Sequence, residues 1–107
     1  MIDYNELNRQ IGRMVILSVS GGKHERVSDN TLRFPISHGY AVEVELDEGS
    51  DTYTVRRTYT RKPKGELLKV RAVKGERADV HADEVSQAFY YAGMFRSYDA
   101  DEWVTKR

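Results

Sequence analysis

The sequence predicts an α+β fold. We expect a strongly curled or barrel-like, mainly antiparallel sheet, with a short N-terminal helix and one longer C-terminal helix. Three observations predict it. Several short apolar runs follow one another from Met14 to Val73, separated by Gly, Pro, Asp, Asn and Ser. One run, Tyr40 to Leu46, alternates cleanly between Tyr40, Val42, Val44, Leu46 and Ala41, Glu43, Glu45. Near the end the period changes, and Val85, Ala88, Phe89, Ala92 and Phe95 fall on one helical stripe.

The elements follow in order. Asp3 can cap a helix, with Glu6 three residues on as in a capping box. Tyr4, Leu7 and Ile11 give that helix one apolar face, and Gly12 stops it. It is too short to stand alone and must dock. Met14 to Ser20 is rich in aliphatic and β-branched residues and reads as a strand ending at the turn Gly21-Gly22. Lys23 to Val27 would pair back across that turn. Ser28-Asp29-Asn30 turns the chain into Thr31 to Phe34, which should end at Pro35, because proline donates no ladder hydrogen bond. Ser37-His38-Gly39 and Asp47 to Ser50 bracket the alternating strand. Thr52 to Arg61 and Glu66 to Val73 read as a hairpin closed by Lys62 to Gly65, and Lys74-Gly75-Glu76 ends its second strand.

A chain of 107 residues makes one domain with a modest core, here residues 1–98, followed by an acidic tail, residues 99–107, in which Trp103 is the residue to dock. There is no cysteine, so disulfides, thiolate metal sites and thiol nucleophiles are excluded. The acidic, polar start is not a signal peptide, and the longest apolar run, Met14 to Leu17, cannot span a membrane. A soluble protein of a reducing cytoplasm fits these facts.

The net charge is zero but unevenly spread. Residues 1–54 carry −4, residues 55–77 carry +7 and residues 78–107 carry −3. A basic band between acidic flanks points to an anion, although lysines and arginines on solvated strands pair with acidic neighbours just as readily. With Arg61 set opposite Glu66, Tyr59 faces Leu68 and Val55 faces Ala72, while Arg56 faces Arg71 and Thr58 faces Lys69. Like charges in direct opposition are costly, and a bound phosphate would reverse that cost. This reading assigns Arg56, Arg61, Lys69 and Arg71 to anion or nucleic-acid binding. A one-residue change of register separates the two arginines.

Chemistry is otherwise scarce. His24, His38 and His81 are isolated, with no partner at metal-ligand spacing. His81 precedes the C-terminal helix and would assist its start. Gly21-Gly22-Lys23 fails as a phosphate loop, because Leu17 stands where the first glycine belongs and His24 where Ser or Thr belongs. Asp47 to Asp51 lacks calcium-loop spacing. No serine lies in a nucleophile-elbow pattern. No catalytic residue, cofactor or metal site is expected.

The C-terminal helix carries more apolar surface than one buried face needs. Tyr90 and Met94 fall opposite the buried stripe. With Gln87 and Tyr91 they form a candidate contact surface, since tyrosine is enriched at interfaces and methionine adapts to irregular partners. The N-terminal helix, Trp103 or a second copy of the chain would cover these residues equally well, and a homodimer through this helix satisfies both readings.

Gly12 to Gly22, the stretch Tyr53 to Tyr59, Lys74-Gly75-Glu76, Asp83-Glu84-Val85 and the Tyr91-Ala92-x-x-Phe95 helix together resemble small proteins encoded by phages of actinobacteria. The resemblance covers most of the chain, implies a phage product acting in the cytoplasm of a bacterial host cell, and carries over no catalytic residue. The first functional expectation is therefore a non-enzymatic binding protein that engages a host or phage protein through the helix face. The alternative is a nucleic-acid-binding β-domain using the hairpin 52–73. An enzyme ranks last.

Overall fold

A computed structural model describes residues 1–61 and 70–94, with Val70 described by its backbone alone. The order is α1 (Tyr4–Ile11), α2 (Arg13–Ser20), β1 (Glu25–Ser28), β2 (Thr31–Pro35), β3 (Tyr40–Asp47), β4 (Thr52–Arg61), β5 (Val70–Val80) and α3 (Val85–Met94). The strands form one antiparallel sheet in the order β1-β2-β3-β4-β5. The fold is α+β as expected, but the sheet does not close. β1 and β5 pair on one side only, so the barrel-like form expected from the strand spacing is not adopted. The helices pack on one face of the sheet.

The N-terminal helix follows its sequence. The Asp3 side chain accepts a hydrogen bond from the Asn5 amide at 2.9 Å. Glu6 does not complete a capping box; its carboxylate accepts from the Gln10 side chain instead. Leu7 and Ile11 are buried, and Tyr4 packs against the core with its ring stacked on His24 at 3.7 Å. Ile2 is also buried, held where its amide donates to the Asp29 carbonyl and its carbonyl accepts from Arg26.

Met14 to Ser20 corrects the sequence reading. It is helix α2, not a strand, so Lys23 to Val27 has no hairpin partner there. The segment lies between Gly12, at φ 102°, and Gly21, at φ 67°, whose amide donates to the Leu17 carbonyl. Gly21 caps a helix where the sequence predicts a turn between strands, and Gly12, expected to stop α1, also marks the start of α2. Ser18 and Ser20 donate to the carbonyls four residues back, as hydroxyls do in helices. A strand would bury Val15, Leu17 and Val19. The helix buries Ile16 and Val19, half-buries Val15, and leaves Met14 and Leu17 outward. Propensity is overridden by packing against α1 and α3.

From β2 to β4 the sheet matches the sequence. Val42, Val44 and Val55 line the helix-facing side beside Leu32 and Phe34. β2 ends at Pro35, the last residue paired with β3. The Gly39 turn is tight: its φ is 86°, and a Cβ there would lie 2.4 Å from the Thr60 carbonyl oxygen.

The hairpin register is the second correction. Arg61 pairs with Val70, Tyr59 with Ala72, Thr60 with Arg71 and Arg56 with Glu76. Lys74-Gly75-Glu76 does not end β5; it passes through a register shift and continues to Val80, which is buried opposite Tyr53. The register expected from a loop over Lys62 to Gly65 is therefore not adopted. Leu68, Phe95 and Trp103 lie outside the described residues, as does the tail 99–107.

Candidate functional site

α3 places the helix-face residues. Val85, Ala88, Phe89 and Ala92 are fully buried, with Phe89 edge-on to Phe34 at 4.8 Å. The helix starts where the Glu84 amide donates to the His81 carbonyl and the Glu84 carboxylate accepts from the His81 amide. The backbone of His81 assists the start, as a cap does.

The outward side carries Gln87, Tyr90 and Met94, all exposed. Tyr90 is 43% and Met94 41% accessible. Tyr91 is half-buried, packs against the core and lies edge-on to Tyr90. Of the four residues assigned to this surface, Tyr91 therefore serves the core as well.

The sequence reading missed a second set of exposed apolar residues on the neighbouring helix. α2 presents Met14 at 73% and Leu17 at 43% accessibility. The two helices meet at Gly93, which is buried against Val19. Two neighbouring helices thus both turn large apolar side chains away from the sheet. Reading Met14 to Ser20 as a strand placed Leu17 in the core and concealed this. The helical spacing of Val15, Ile16 and Val19 was the signal that could have found it.

The basic residues are arranged differently from the expected constellation. On the face of the sheet away from the helices, Arg56 donates to Glu45 and to Glu76, each at 2.6 Å. Arg71 reaches across β4 to Glu43 on β3, donating from two nitrogens at 2.9 and 2.5 Å. Glu43 is only 4% accessible, so this carboxylate is taken out of water against a guanidinium. Burial weakens the hold of Arg56 on its proton, but its two carboxylate partners raise it above the usual arginine range. The Glu43 hydrogen bonds do the same for Arg71. Both arginines are therefore permanent cations already matched by carboxylates. Arg61 lies at the end of β4 on the opposite face, and Lys69 lies outside the described residues. Of the three described candidates, Arg56 and Arg71 share one face of the sheet and Arg61 lies on the other.

Arg57 takes a role that the sequence concealed within the basic band. It is buried and donates to the carbonyls of Ala92 and Gly93 at 2.8 and 3.1 Å. A cation there satisfies the end of α3 and complements its dipole. The guanidinium also lies 4.4 Å from the centre of the Tyr40 ring.

Among the described residues no three His, Asp or Glu side chains gather as a metal site requires, and no helix is long and apolar enough to cross a membrane. Comparison with family models, curated proteins and solved structures finds no match to this chain.

Proposed function

We propose that this is a non-enzymatic binding protein that engages a second protein through the outward side of its helix layer. The contact is centred on Tyr90 and Met94 of α3 and extends to Met14 and Leu17 of α2. The observation that carries the reading is the pairing of these helices through Gly93 and Val19, with four large apolar side chains turned outward. A core needs none of them there. At the centre of an interface such residues become the anchors that carry binding energy. The partner proposed is a host or phage protein in the bacterial cytoplasm, the setting that the resemblance to phage proteins implies.

Affinity capture from bacterial lysate tests this reading, with the parent chain, Met94→Glu and Arg56→Ala compared side by side. The reading expects a captured protein that Met94→Glu loses and Arg56→Ala keeps. Sedimentation of the purified chain separates a foreign partner from a second copy. The reading fails if Met94→Glu captures what the parent captures.

A further inference from the structure

The aromatic platform that a nucleic-acid reading of the sequence lacked is present on the helix-facing side of the sheet, near the C-terminal end of α3. Tyr40 and Tyr59 are cross-strand partners on β3 and β4, with ring centres 4.8 Å apart. Both rings are half-buried, so neither belongs wholly to the core. Arg57 beneath Tyr40 ties that ring to the end of α3. Lys74, at the β5 register shift, places its ammonium 5.9 Å from the centre of the Tyr59 ring. Arg61 follows Tyr59 by two residues in unbroken register, so it lies on the same face. Lys74 and Arg61 are exposed.

The charge around this pair differs from that on the opposite face. There Arg56 and Arg71 are matched by Glu43, Glu45 and Glu76. Here the strand partners of Tyr59 and Arg61 are Tyr40, Ala72 and Val70, with no carboxylate among them. Among the described cations of this band, Arg56 and Arg71 are thus matched by carboxylates on one face, while Arg61 and Lys74 stand beside an aromatic pair on the other. Aromatic rings flanked by cations match a chain of stacked bases joined by phosphates.

We propose that Tyr40 and Tyr59, with Arg61 and Lys74, form a binding site for single-stranded nucleic acid. Bases stack on the tyrosine rings, and the two cations meet the backbone. The rings present no fixed donors to base edges, so the site is tolerant of sequence. This proposal does not rest on the outward helix face.

The test is fluorescence anisotropy of a labelled oligothymidylate of about 16 nucleotides, the upper end of the span that one such site covers. The proposal expects binding at low salt, with a duplex of the same length bound more weakly. Tyr40→Leu and Tyr59→Leu should each lower affinity about tenfold, and Tyr59→Phe should retain it. Arg61→Ala or Lys74→Ala should each reduce the salt slope by about 0.7. A titration of the parent chain followed by amide shifts avoids any loss of fold in variants. Shifts should centre on Tyr40 and on Tyr59 to Arg61. The proposal is overturned by no anisotropy change at low salt, by leucine variants that bind as the parent does, by equal affinity for the duplex, or by shifts centred on Arg56 and Glu43.

Discussion

Gly93 of α3 lies directly against Val19 of α2: a Cβ added at Gly93 would fall 2.4 Å from one methyl carbon of Val19 and 2.9 Å from the other. The contact sets how closely the two helices approach, and hence the spacing of Tyr90 and Met94 relative to Met14 and Leu17.

Gly93→Ala is therefore expected to destabilise the fold. Alanine gains about 1 kcal/mol of intrinsic helix preference over glycine. Overpacking a closed contact costs about 1–3 kcal/mol, and here it opposes that gain. A denaturant melt should show a net loss, and Val19→Ala in the same chain should recover part of it. A Gly93→Ala variant as stable as the parent would show that α2 can withdraw from α3 freely.

Phe89 is the second test of packing. It is fully buried and edge-on to Phe34. Phe89→Ala should cost about 3–5 kcal/mol, as expected for a large core aromatic. A loss below about 1 kcal/mol would place the buried stripe of α3 on the wrong side.

The Glu43–Arg71 pair gives a third prediction. Arg71→Ala leaves a buried carboxylate without its guanidinium, which costs about 1–3 kcal/mol. Solvent around the half-exposed Arg71 screens the pair, so the lower half of that range is expected. Glu43→Gln in the Arg71→Ala background should restore stability, because it removes the stranded charge. Thermal melting of the three variants checks the order.

Tyr53 predicts the alkaline limit. Burial raises its pKa above the usual tyrosine value, helped by the negative charges of Glu6 and Asp51, while its hydrogen bond to Gln10 lowers it. A raised pKa means that the folded state holds the phenol proton more tightly than the unfolded chain. That stability is fully present below the ordinary value of about 10 and is lost as pH rises through the folded value. Tyr53→Phe should be less stable at neutral pH, where it lacks the Gln10 hydrogen bond, and should lose less stability above pH 10 than the parent does. Chemical denaturation at pH 7 and at about pH 11 measures both.

Much of this fold was legible in the sequence because single residues impose it. Asp3 begins α1, Gly12 ends it, Pro35 ends β2, and Val42 and Val44 announce a buried face. What was not legible depends on partners distant in sequence. Met14 to Ser20 has strand composition, and it is a helix packed against α1 and α3, with Val19 against Gly93. The β4–β5 register does not follow from local turn residues; in it Arg56 meets Glu76 and Arg71 meets Glu43. The outward Tyr90 and Met94 were readable from helical spacing. Met14 and Leu17 were not, because their strand assignment turned them the wrong way. Arg57 read as one more charge in a basic band until the end of α3 was found against it.

The claim that the helix layer is a protein-binding face is tested most directly by one paired measurement on Tyr90→Ala and Met94→Glu: melting temperature beside partner capture. Both side chains are partly exposed. At an interface centre each would carry about 2 kcal/mol or more, which is at least about a 25-fold loss of affinity on removal. The account predicts melting close to that of the parent with capture abolished. Melting several degrees lower would make the face structural, and normal melting with undiminished capture would place the contact elsewhere on the protein.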